Sequence, residues 1–144
     1  MIFVGIDPGK KNGVAVWDGN SFTKLCTMSF WQVIEYIESK VADRDRITFV
    51  VENPNRNKPV FPKRGVSHKE HLKMLKIAQN VGQNKRDAQL IIEKIKSLGF
   101  PVMEIKPSKY SMTKLKPNIF AQMTGFDGKC SEHARDAAML VFGR

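Results

Sequence analysis

Short apolar runs of strand length, separated by turn residues, make the first third of the chain read as a β-meander. Ile2–Asp7 reads as a strand, and Lys10-Lys11-Asn12-Gly13 supplies a hairpin turn, Asn-Gly being the strongest short-range signal for one. Residues 14–17 form the second strand, Asp18-Gly19-Asn20 the next turn, and Phe22–Met28 the third strand. The pattern then changes. Ser29 and Gln32 make a capping box, and Phe30, Val33, Ile34, Ile37 and Val41 follow at helical spacing. Ile47–Glu52 is a fourth strand, so nearly apolar throughout that both of its faces are expected to be covered.

Residues 53–66 hold three prolines, two arginines and two lysines without periodicity. A loop of that length points to function or disorder rather than plain connection. Ser67 and Glu70 form a second capping box, opening a helical region to about Leu98. Its apolar stripe is Leu72, Leu75, Ala78, Ala88, Ile91, Ile92, Ile95 and Leu98; Gly82 is placed to interrupt it and Gly99 to end it. Val102–Ile105 is a fifth strand. Residues 106–116 are basic and poorly patterned, Pro117 starts a short helix, and Gly125 ends it. Ser131 caps a last helix running to the C-terminus. No repeat, low-complexity tract or linker divides residues 1–144, so the pattern predicts a single domain, of ordinary size for one.

Charge narrows the partners. Lys and Arg number 24 against 14 Asp and Glu, a formal net charge of +10. Such an excess favours nucleic acid over an anionic membrane surface, and no apolar run approaches the roughly 20 residues of a span. No leader is visible, since the first strand begins at Ile2. Cys26 and Cys130 show neither CxxC nor zinc spacing and read as free thiols of a reducing compartment, hence a cytoplasmic location.

Two acids end apolar strands and are followed at once by turns: Asp7 before Pro8-Gly9, and Glu52 before Asn53-Pro54. Alternation puts Phe3, Gly5 and Asp7 on one face, and Thr48, Val50 and Glu52 on one face. If those strands are neighbours, both carboxylates emerge at the same end of the sheet. On the last helix His133 falls within the flank of Ala137, Leu140 and Val141, with Asp136 at its rim and Glu132 further round toward solvent. A carboxylate at a buried strand tip is expensive unless a cation or proton compensates it. Asp7, Glu52, His133 and Asp136 therefore predict a divalent-metal site, with oxygen donors favouring Mg²⁺ or Mn²⁺ and His133 as a nitrogen donor or proton carrier. Two ions in such a cluster suit phosphodiester hydrolysis. Singly, each residue has a plainer reading: turn former, solvated strand end, satisfied core histidine, surface acid. Their convergence favours the site.

Gly5-Ile6-Asp7-Pro8-Gly9 with Asn12-Gly13, the Val50-Val51-Glu52 strand end, and His133-Ala134-Arg135-Asp136-Ala137-Ala138 resemble the RuvC family of Holliday junction resolvases, within the ribonuclease H-like superfamily. Val81-Gly82-Gln83 resembles the opening of that family's central helix. The short chain and basic loops look more like its phage or otherwise divergent branch. The resemblance implies an α/β ribonuclease H-like fold: a five-stranded mixed sheet, its first three strands antiparallel and the later ones parallel, flanked by helices. It also implies a homodimer and Mg²⁺-dependent symmetric nicking of four-way DNA junctions. Asp7, Glu52, His133 and Asp136 match the catalytic tetrad position by position. The chain departs in its longer, more basic loop at 53–66, and in Lys85-Arg86-Asp87 where a second glycine is expected.

Lys10, Lys11, Lys58, Lys63, Arg64, Lys85, Arg86, Lys106, Lys109, Lys114 and Lys116 gather in loops and helix starts on the expected active-site side, as DNA contacts. Phe61, between prolines, is a candidate for stacking on an unpaired base, with Tyr110 a similar case. Other readings are a junction-binding protein that does not cleave, and a nuclease of the same superfamily acting on RNA:DNA hybrid or other branched DNA. The Asp-x-Gly opening also occurs in actin-like kinases, but these need two domains.

Overall fold

The computed structural model describes residues 1–58, 63–107 and 114–144. These residues form five strands, β1 (Ile2–Asp7), β2 (Asn12–Trp17), β3 (Phe22–Met28), β4 (Ile47–Glu52) and β5 (Val102–Ile105), in the spatial order β3-β2-β1-β4-β5. The first three pair antiparallel; β4 joins β1, and β5 joins β4, in parallel. Four α-helices flank the sheet: α1 (Phe30–Glu38), α2 (His68–Ser97), α3 (Pro117–Thr124) and α4 (Glu132–Val141). The mixed α/β architecture is the expected one.

Strand alternation divides the core between the two faces. Val4, Ile6, Phe49 and Val51 pack with Val33 and Ile37 of α1 and with Ile91, Ile92 and Ile95 of α2. On the opposite face Ala15, Trp17 and Val50 meet Phe120 of α3 and Ala137, Ala138 and Val141 of α4. Helix α4 lies very close to the strands. A Cβ at Gly5 would overlap the Ala137 carbonyl, and one at Gly13 would overlap the His133 carbonyl. Two glycines on paired strands thus form the bed in which α4 rests.

Local signals set most of the helix ends. Ser29 with Gln32, and Ser67 with Glu70, both form complete capping boxes. Ser131 accepts a hydrogen bond from the Ala134 amide at the start of α4. Gly99 and Gly125 adopt left-handed φ of 77° and 70° as α2 and α3 stop.

Several expectations need correcting. Asn12-Gly13 is not the hairpin turn: both residues belong to β2, where Asp7 pairs with Gly13. The buried Asn12 carboxamide accepts from the Gly9 amide at 3.3 Å and donates to the Met28 carbonyl at 3.2 Å, so it stabilises the bend from inside the sheet. Val41 lies beyond α1 in an exposed 3₁₀ turn. Gly82 does not break α2, which runs unbroken over 30 residues. Only the C-terminal half of the α2 stripe is core: Ala88, Ile91, Ile92 and Ile95 are buried, whereas Leu72 and Leu75 are about half exposed at 52% and 51%. The last helix stops at Val141, short of the C-terminus.

Candidate active site

Parallel pairing of β1 with β4 aligns Ile6 with Val51, one residue before the two strand-end acids. Asp7 and Glu52 therefore leave the same end of the sheet, on the face that carries α4. Seated on Gly5 and Gly13, α4 brings its first turns to that end. Asp7, Glu52, Glu132, His133 and Asp136 all line one open cleft of about 1200 Å³ between α4 and α2. Nδ1 of the half-exposed His133 is 3.4 Å from Asp7 Oδ2, so it is not a core histidine.

The acids strain one another electrostatically. The Asp7 carboxyl is raised to about 6, chiefly by burial, with the hydrogen bond to Glu52 offsetting part of the rise and the charges of Asp136 and Glu132 adding to it. Burial also raises Glu52 to about 7, followed by the charge of Asp7, the hydrogen bond between them, and Asp136. Adding one proton to the pair would relieve this repulsion. A divalent cation would relieve it better. No three of the His, Cys, Asp and Glu side chains among the described residues form a ready-made cation cage. The donor types themselves, three carboxylates and one imidazole, suit a hard divalent cation.

A pH dependence follows. Both carboxyls hold protons more tightly folded than unfolded, so between about pH 4 and pH 7 the native state binds the excess. Stability in EDTA should therefore rise as pH falls from about 8 to about 5.5, and be lost as pH climbs through the two raised values. Thermal melts of the protein and of Asp7→Asn at both pH values check this, because the variant loses most of the difference.

Neighbouring groups hold the acids in place. Asn53 donates from Nδ2 to Glu104 at 2.8 Å and accepts from the Asn55 amide at 3.0 Å, fixing the turn after Glu52. Asn55 in turn donates to the Lys85 carbonyl at 2.9 Å, tying this turn to α2. The Lys114 amide donates to Asp136 Oδ1 at 2.6 Å. Lys114 is the one non-glycine residue described at positive φ, 59°, a conformation that costs roughly 1–2 kcal/mol and persists only when its surroundings enforce it. Arg135 supplies the enforcement. It is buried, makes no ion pair among the described residues, and donates from Nε to Leu115 and from Nη1 to Cys130, both carbonyls at 2.8 Å.

Of the proposed DNA contacts, Lys10, Lys58, Lys85, Arg86 and Lys114 line the cleft. Lys63 and Arg64 lie at a separate basic hollow with His68 and His71. Lys11, Lys106 and Lys116 are exposed without lining either. Phe61, Lys109 and Tyr110 lie outside the described residues. Glu132 is exposed, as expected, and stands at the cleft's edge; sequence reasoning missed Arg135 and the α2 wall of Asn80, Gln83, Asn84 and Asp87. The polar run of that wall on an otherwise amphipathic helix was the available signal.

No protein-family model matches the chain, and no curated protein matches it. Among solved structures the chain is similar to T. thermophilus RuvC in complex with Holliday junction substrate, with 16% identity and a TM-score of 0.54. The likeness covers 97% of this chain and 89% of that one. It shows the fold, a ribonuclease H-like α/β sheet with flanking helices. No helix among the described residues is long and apolar enough to cross a membrane.

Proposed function

We propose that this chain is a single-domain, Mg²⁺-dependent endonuclease that resolves four-way DNA junctions by paired symmetric nicks, acting as a homodimer. The observation that carries the reading is the meeting of Asp7, Glu52, His133 and Asp136 in one cleft bordered by lysines. Asp7, Glu52 and Asp136 would hold two Mg²⁺ or Mn²⁺ ions with His133 at the edge, and the ions supply activation of water and stabilisation of the leaving 3′ oxygen. Asp7 and Glu52, whose proton affinities burial raises, would have to be deprotonated to hold a cation. His133 stands open to the cleft and can take or return a proton. Lys10, Lys58, Lys85, Arg86 and Lys114 attract and position the phosphate backbone without reading its sequence.

Leu72 and Leu75, about half exposed on one flank of the projecting half of α2, support pairing with a second copy. The fold shared with a junction-bound resolvase supports the substrate. A binding protein that does not cleave has no use for two buried acids with raised proton affinity. A hybrid nuclease of the same superfamily is separated by substrate. Labelled four-way junction, linear duplex and RNA:DNA hybrid are incubated with protein in Mg²⁺ or in EDTA. The expected result is symmetric nicks in the junction alone, and only with Mg²⁺. Cleavage confined to the hybrid, or unaffected by EDTA, overturns the proposal.

A further inference from the structure

Helix α2 has two halves with opposite treatment of charge. In the packed half, Lys94 pairs with Glu38 and Lys96 with Glu104. In the projecting half, Lys69, Lys73 and Lys76 are exposed and make no ion pair among the described residues. Their spacing is not random. Residues 69, 73, 76, 80, 83 and 87 follow steps of four and three, so they share one seam of an uninterrupted helix. Asn80, Gln83 and Asp87, the lower members, line the cleft that holds the acids. The lysines prolong that wall outward.

We infer that Lys69, Lys73 and Lys76 form a phosphate track on which one arm of the DNA substrate lies as it leaves the cleft. The inference rests on the nuclease reading and adds the surface that holds the arm. At 1.5 Å rise per residue the three lysine positions span about 10 Å along the helix, roughly three axial steps of 3.4 Å between successive phosphates of one strand. The seam begins at the cleft wall and runs about 16 Å beyond Asn80, in line for a duplex rather than an isolated nucleotide. Asparagine and glutamine near the acids give way to cations farther out, so attraction grows where the acids no longer need to be balanced. Leu72 and Leu75 occupy a neighbouring face of the helix, leaving the lysine seam to the nucleic acid.

The test is the salt dependence of binding, measured in EDTA so that no cleavage intervenes. The triple variant Lys69→Gln/Lys73→Gln/Lys76→Gln should bind a four-way junction about 10-fold or more weakly near physiological salt. Its log-affinity against log-salt slope should become shallower by about 2 to 3. A control, Lys24→Gln/Lys40→Gln, removes lysines that lie over Tyr36 away from the cleft and should leave the slope within error. Glutamine is a good helix former, so circular dichroism should report an intact fold; Lys73→Glu alone offers a second, milder probe. An unchanged slope in the triple variant overturns the track. So does a variant whose only defect is lost self-association, which would assign the seam to a second copy. If the wild type binds no DNA of any structure, the nuclease reading itself fails; if it binds and the triple variant binds equally, only the track fails.

Discussion

Asp7→Asn should lower Mg²⁺-dependent nicking of a four-way junction by about 10³-fold or more while junction affinity stays within about threefold. Asparagine keeps the shape but removes the full negative charge and replaces one carboxylate oxygen by an NH₂ at the centre of the acid set. A carboxylate that helps hold Lewis-acidic ions contributes several kcal/mol to the barrier, and each 1.4 kcal/mol is a factor of ten. Binding survives because the lysines, not the acids, face the phosphates. Removing a negative charge beside the scissile phosphate can only ease the approach of DNA. Single-turnover cleavage and gel shift on one preparation read both quantities. Nicking that persists in the variant would remove Asp7, and with it the proposed site.

The second large effect concerns the bed of α4. Gly13→Val should destabilise the fold by about 3 kcal/mol or more, a fall in melting temperature of roughly 10 °C. The clash is with the His133 carbonyl and the Ala134 amide, which are backbone and cannot rotate aside. Helix α4 must lift, and His133 and Asp136 lift with it. Gly5→Ala meets the Ala137 carbonyl in the same way. Gly82→Ala is the contrast: nothing stands within reach of a Cβ there, and α2 is continuous, so stability should rise by about 0.5–1 kcal/mol. Thermal melts of the three variants check this, and equal effects at Gly13 and Gly82 would refute the packing argument.

Strands and caps were legible because their signals are local. The five strand cores follow from short apolar runs bounded by turn residues, and the Ser29 and Ser67 boxes need only four consecutive residues. The meeting of Asp7 with Glu52 was legible once their strands were supposed adjacent. Asn12-Gly13 misled for an instructive reason. The pair carries a strong turn preference, but here Asn12 is used for buried hydrogen bonds and Gly13 for room beneath α4. A tertiary demand borrowed residues whose local meaning differs. Leu72 and Leu75 share a period with Ile91 and Ile95, yet periodicity along a helix does not say where its packing partner ends. Arg135 was illegible: one arginine among 24 cations gives no hint that it alone is buried against two carbonyls.

The acids that converge in the cleft come from an opening strand, a middle strand and a late helix. No short stretch of the polypeptide holds enough of them to hydrolyse anything. Under the proposed nuclease function, a fragment or nascent chain that lacks either β4 or α4 would hold an incomplete acid set. The connectivity makes any chemistry of this cluster conditional on the whole tertiary structure.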